Sequence, residues 1–172
     1  MALTPEVYAE VAASTAIYPE AEHYEGAYAM LGLLNECGEL FEATRFEFWN
    51  RKALVKEAGD VLWYIAEVCR QHDISFPQVF RYWNHIPISE VALTSWQLHQ
   101  SLFEMAGMQK KSVRDNKLDK DNLIIKLRGV ALYLACLLAR QGITVEHVAS
   151  ENNKKLLDRQ ARGVLKGSGD NR

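Results

Sequence analysis

Two acidic pairs, Glu36/Glu39 and Glu57/Asp60, lie inside apolar helical stripes where solvated acids do not belong. Each pair is spaced i, i+3, which on a helix brings the Cβ atoms to roughly 5–6 Å and sets two carboxylates side by side. Glu36 falls within the stripe of Leu33, Cys37, Leu40 and Phe41. Glu57 falls within the stripe of Leu54, Ala58, Val61, Leu62 and Ile65. Burying unpaired carboxylates costs several kcal/mol or forces them to take up protons. Two helices packed on these faces would gather Glu36, Glu39, Glu57 and Asp60 into one cleft. A divalent cation makes that arrangement tolerable, and ligation by oxygen alone points to Mg²⁺ or Mn²⁺.

The rest of the chain reads as helix, with no convincing strand alternation. Thr4-Pro5-Glu6 is a helix start, and the helix runs to about Ile17, before Pro19. A loop, Glu20–Gly26, leads to a second helix over Tyr28–Trp49 that carries the first acidic pair. The third helix, Lys52–His72, carries the second pair. A short helix covers Phe76–Trp83, with Pro77 in its first turn. Longer helices follow over Ser89–Lys111 and Asp121–Arg140, separated by a charged loop, Ser112–Lys120. Gly142 ends the sixth, and Thr144 caps a last helix that reaches Arg162. The Gly-rich tail 163–172 reads as irregular.

At 172 residues this is one domain, 1–172, with a core of useful size. The net charge of −2 gives no signature of a nucleic-acid polymer partner. No apolar run reads as long enough to span a bilayer, and the N-terminus lacks the basic and apolar regions of a signal peptide. Cys37, Cys69 and Cys136 are odd in number and sit in apolar helical patterns, which reads as reduced core thiols in a cytoplasmic protein. No GxxxxGK[ST] phosphate loop is present.

A faint internal echo aligns Lys56–Phe80 with Ile125–Ala149, matching Tyr64 to Tyr133, Ile74 to Ile143 and Val79 to Val148. Glu57 then falls on Lys126 and Asp60 on Gly129, while Glu104 falls near Glu36. The halves, 25–84 and 89–149, would be two helical hairpins completing a four-helix core, the second having lost most of its acids. Two amphipathic hairpins can also resemble each other by composition alone.

A site of several carboxylates suits phosphate chemistry. Mg²⁺ takes few protein carboxylates and accepts substrate phosphate oxygens as further ligands, so catalysis rests on positioning and electrostatics. Cationic partners are then needed. The last helix offers Asn152, Lys155 and Arg159 at i, i+3, i+7 on one face, with Arg162, Lys166 and Arg172 extending the basic character. Taken by itself, that face also fits a solvated, dipole-favoured helix end.

These motifs resemble the MazG-like, all-α nucleoside triphosphate pyrophosphohydrolases. The family pattern is an ExxE helix, an ExxD helix and a later Asn…Lys…Arg helix. Here the matches are Glu36-Cys37-Gly38-Glu39, then Glu57-Ala58-Gly59-Asp60 followed by VLWY, and NNKKLLDRQARGVLKGSGDNR at the close. The resemblance covers Thr15–Tyr64 and Asn152–Arg172. It implies a MazG-like helical bundle that hydrolyses a nucleoside triphosphate to the monophosphate and pyrophosphate. Glu36, Glu39, Glu57 and Asp60 would hold Mg²⁺ or Mn²⁺. Lys155 and Arg159 would grip phosphates, and Asn152 would orient a phosphate or sugar oxygen. The expected partners are the nucleotide and further copies of the chain, in a dimer or tetramer, with no membrane. Length and the closing GSGDNR resemble the compact phage-type members, whose MazZ branch acts on dGTP. Pro77–Ala149 departs from small family members, which leaves open whether Lys155 and Arg159 serve their own chain's site or a neighbour's.

Substrate choice is less legible. Trp49, Trp63, Tyr64, Trp83 and Trp96 are stacking candidates, although core packing explains Trp63 and Tyr64 as well. Two rival readings stand beside the enzyme. A di-iron carboxylate bundle would use Glu-x-x-His motifs, but the one match, Glu20–His23, lies in a loop. A non-enzymatic helical interaction module would show neither metal-dependent stability nor nucleotide turnover. His72, His85, His99 and His147 share no spacing and read as surface or packing residues.

Overall fold

Asn50 starts the helix on which most of the others pack. Its Oδ1 accepts from the backbone N–H of Lys52 at 2.8 Å and of Ala53 at 3.4 Å, satisfying donors that the first helical turn leaves open. The computed structural model describes residues 3–18, 26–44, 50–84 and 95–166. Among these it shows seven helices and no strand: α1 (Pro5–Thr15), α2 (Ala27–Thr44), α3 (Arg51–Gln71), α4 (Phe76–Val79), α5 (Ser95–Asp115), α6 (Lys120–Arg140) and α7 (Val145–Ala161). The all-α class expected from the periodicity is the class observed.

Helix α2 packs on α3 and α5 packs on α6, and the two hairpins join through α2 with α5 and α3 with α6. That closes a four-helix core. Helices α1 and α7 contact each other and cover a further side of α3. The stripes read from the sequence are the buried ones: Leu33, Cys37 and Leu40 on α2 meet Leu54, Ala58, Val61, Leu62 and Ile65 on α3. Each large aliphatic side chain so buried contributes about 1.5–3 kcal/mol. Cys37, Cys69 and Cys136 are buried and in no disulfide, and burial pushes Cys37 and Cys69 up to about 12.

Several boundaries differ from the sequence reading. Helix α1 stops at Thr15, because Ala16 leaves helical geometry at ψ 87°. Helix α4 ends at Val79 instead of Trp83, because Phe80 turns out at ψ 81° and Trp83 folds back onto Tyr8, Phe76 and Phe80. Helix α5 continues past Lys111 to Asp115, which shortens the expected loop, and Asn116 ends it at φ 50°. The expected ends at Trp49 and Ser89, and the tail beyond 166, lie outside the described residues. Helix α6 also departs from the expectation that no apolar stretch reaches bilayer length, since by length and composition it does. Its apolar side chains, including Leu123, Leu127, Val130, Leu134 and Leu138, are buried in the core.

The turns after α3 and α6 are built alike. Asp73 and Gly142 take left-handed φ values of 51° and 65°. Ile74 N–H reaches Cys69 O at 2.8 Å, and Ile143 N–H reaches Leu138 O at 3.0 Å, each the closing bond of a Schellman turn. These residues correspond in the register of the sequence echo. In the second hairpin Lys126 forms an ion pair with Glu104, at the places that Glu57 and Glu36 hold in the first.

Candidate metal centre and substrate site

Packing α2 against α3 brings Glu36, Glu39 and Glu57 together, with one carboxylate oxygen of each within 4.8 Å of the others. Glu57 is the most enclosed, its side chain 12% exposed. Its Oε1 accepts from Lys56 Nζ at 2.7 Å, while its Oε2 is buried without a hydrogen-bond partner. An orphaned buried carboxylate oxygen is costly. It fits a hard cation, as does the all-oxygen donor set. Glu39 is exposed and accepts from Asn35 Nδ2 at 2.8 Å. Glu36 is half-buried, and its carboxyl is pushed up to about 7, first by burial and then by the charges of Asp60, Glu39 and Glu57, with Lys155 opposing.

Asp60, the fourth acid expected here, stands beside these three. It is not one of the three clustered carboxylates. It forms an ion pair with Lys155 and accepts from Asn152 Nδ2 at 3.4 Å. The reason is tertiary: α7 packs along α3 and delivers a cation to this acid. The charge of Asp60 still reaches Glu36, as that residue's raised carboxyl shows.

Asn152, Lys155 and Arg159 all face α3, and Lys155 reaches Asp60 of its own chain. Asn152 and Arg159 are buried at 3% and 8% exposure. Gly59 permits this approach, since a Cβ there would lie 2.8 Å from Asn152 Nδ2 and 3.0 Å from its Cβ. Arg162 pairs with Asp158 at 2.7 Å, Lys166 is exposed, and Arg172 lies outside the described residues.

Three contributors escaped the sequence reading. Tyr8, fully buried on α1, donates to Asn152 Oδ1 at 2.9 Å. Lys56 holds Glu57. Lys52 lines a cleft with Lys56, Lys155 and Arg159. No local spacing marks Tyr8. The two lysines were discoverable as the basic turn that precedes Glu57.

The aromatic candidates separate by burial. Trp83 is buried and donates to Leu3 O at 2.8 Å, and Trp96 is 70% exposed. Trp63 donates to Thr15 Oγ1 at 3.1 Å. Tyr64 lies over Gly32, where a Cβ would come within 2.0 Å of its ring. Trp49, His23 and His85 lie outside the described residues. His72 is buried against Gln109 at 3.3 Å, His99 stacks on Phe41 with ring centroids 4.4 Å apart, and His147 is exposed. Among the described residues no histidine joins the acidic group, so nothing there resembles a di-iron ligand set.

Residues 26–85, which carry both acidic pairs, match the model of the MazG nucleotide pyrophosphohydrolase domain. Gene 37 protein of Mycobacterium phage L5 is 34% identical, over 40% of this chain and 72% of the phage protein. No solved structure matches. With the helical bundle and the clustered acids in view, these matches make the chain a member of the MazG nucleotide pyrophosphohydrolase family.

Proposed function

We propose that this protein is a Mg²⁺- or Mn²⁺-dependent nucleoside triphosphate pyrophosphohydrolase, converting a (d)NTP and water to the (d)NMP and diphosphate. The observation that carries the reading is the convergence of Glu36, Glu39 and Glu57 around a buried Glu57 oxygen that lacks any donor. A divalent cation bound there supplies charge neutralisation for phosphate oxygens and acidity for a nearby water. The chain's own residues supply position. Glu36, Glu39 and Glu57 hold the cation side, and Asp60 completes the negative field. Asp60 also steadies Lys155, so that its ammonium is aimed before substrate arrives. Lys155 and Arg159 grip phosphates, and Asn152 presents an amide to a phosphate or sugar oxygen.

We assign the activity to nucleotide-pool control, with deoxynucleotides as substrates and dGTP as the first to test. The phage origin of the relative supports this narrower reading. We also propose a homo-oligomer, dimer or tetramer: Trp96 and Phe103, seven residues apart on α5, are 70% and 67% exposed and offer two large apolar side chains to a second copy. Sedimentation velocity tests that point.

The test of activity is a panel of all common ribo- and deoxynucleoside triphosphates with Mg²⁺, scored for monophosphate plus pyrophosphate. Turnover of one or more supports the assignment. No turnover of any, with either metal, overturns it and favours the interaction-module reading.

A further inference from the structure

Glu67 lies on α3, seven residues beyond Asp60, at 0% exposure, and the proposed reaction does not use it. A buried carboxylate is tolerated only when it is paired and hydrogen-bonded. Here Arg70 Nε donates to its two oxygens at 3.3 and 3.0 Å, and the Tyr18 hydroxyl donates to Oε2 at 2.6 Å. That hydroxyl accepts in turn from Arg70 Nη2 and Gln71 Nε2, each at 3.2 Å. Tyr18 follows the end of α1, so Glu67 ties the chain leaving α1 to the last turns of α3.

The tie continues through aromatic rings toward the acidic cluster. Tyr18 stacks on Tyr28, at the start of α2, with centroids 4.3 Å apart. Tyr28 lies against Tyr64 with centroids 6.2 Å apart, and Trp63 braces Tyr64 edge-on at 4.8 Å. Burial first, then the hydrogen-bonded Tyr28 hydroxyl and the charges of Glu36 and Asp60, hold the Tyr64 phenol above its usual value, so its oxygen is within electrostatic reach of both acids.

Tyr64 is also a spacer between α2 and α3. Its ring occupies the place a side chain at Gly32 would need, 2.0 Å from a Cβ built there. Gly32 precedes Glu36 by about one helical turn, and Tyr64 follows Glu57 by about two, each on the same helix face. The Tyr64–Gly32 contact is therefore the layer next to Glu36 and Glu57. The seat of that ring sets how closely the two acids approach.

We infer that Glu67 is a positioning residue for the cation site: by holding Tyr18 it fixes the run of rings Tyr18, Tyr28 and Tyr64, which sets the spacing of α2 and α3 at Glu36 and Glu57. This rests on the proposed cation site and deepens it. A side chain with a purely structural duty adds stability and leaves cation affinity unchanged. Glu67 governs affinity as well, because carboxylates moved off their best spacing hold a hard cation less tightly.

The test is titration of the whole protein with Mn²⁺, with the free ion read by electron paramagnetic resonance, which needs no turnover. Glu67→Gln keeps the size of the side chain and removes its charge, whereas Tyr18→Phe keeps the stacking and removes the donor. Each should weaken Mn²⁺ binding about threefold to tenfold with unchanged far-UV circular dichroism. The double variant should bind about as well as the weaker single variant, because both act through one run of contacts. Val130→Ala, which opens a cavity in the buried face of α6, should lower the melting temperature and leave Mn²⁺ affinity unchanged. If the wild type binds Mn²⁺ and both variants match Val130→Ala in affinity, or if the two losses add in full, the inference fails and the cation site stands. No Mn²⁺ binding by the wild type overturns both. If both variants lose affinity while no nucleotide turns over, the positioning role stands and the pyrophosphohydrolase assignment fails.

Discussion

The buried hydroxyl of Tyr8 donates to Asn152 Oδ1 at 2.9 Å, which turns the Asn152 amide nitrogen toward Asp60. An asparagine amide has two nearly isosteric orientations, and this bond selects one. Tyr8 is thus a positioning residue, tying α1 to the face of α7 that carries Lys155 and Arg159.

Tyr8→Phe keeps the ring packing on Phe76 and Trp83 and removes the donor. A lost buried hydrogen bond costs about 1 kcal/mol. The variant should melt a few degrees lower and lose about tenfold in kcat, with a smaller change in the stability of Tyr8→Phe combined with Asn152→Ala than the two single changes sum to. Full additivity would deny the coupling.

Glycines on the two acidic helices should behave oppositely. Gly38 is exposed, and nothing lies within 4 Å of a Cβ placed there. Gly38→Ala should therefore stabilise the protein by about 0.8–1 kcal/mol through helix propensity alone. Gly59→Ala gains the same propensity but drives a methyl against Asn152. Its activity should fall while its helical circular dichroism stays unchanged. Measuring melting temperature and turnover for both separates propensity from crowding.

Clustered carboxylates repel one another, so a cation that binds only the folded state should stabilise it. At a hundredfold excess over Kd the gain is about 2.7 kcal/mol, or about 5–10 °C in Tm for a chain of this size. Differential scanning fluorimetry with and without millimolar Mg²⁺ or Mn²⁺ reads this directly. Glu57→Gln should abolish most of the shift, and a metal-independent melting curve counts against the site.

The pH dependence follows from Glu36. Its carboxyl is raised from 4.5 to about 7 in the folded protein, so the folded state holds the proton more tightly than the unfolded chain. Metal-free stability should accordingly fall as pH rises from about 4.5 to about 7, then level off. Metal affinity should rise over the same range, because binding displaces that proton. Thermal melts across pH 4–8, with and without Mg²⁺, should converge at the acid end and separate toward neutrality.

Glu39→Gln preserves size and its exposed place on α2 but removes a charged ligand. Pyrophosphate release should drop by about 100-fold or more with unchanged circular dichroism. Retained activity would remove Glu39 from the mechanism.

Helical period, caps and the placing of Glu36 and Glu57 inside apolar stripes are local properties, repeated every three or four residues. The sequence by itself therefore determined the all-α class, most helix positions and the pairing of acids on α2 and α3. What it left undecided depended on contacts between residues far apart in the chain. Only the packing of α7 on α3 gave Asp60 to Lys155, 95 positions away. Only the docking of α1 brought Tyr8 to Asn152, and only the gap between α3 and α7 made Lys52 and Lys56 walls of a cleft. Such relations are set by how buried faces fit together, and no spacing along a single helix encodes them.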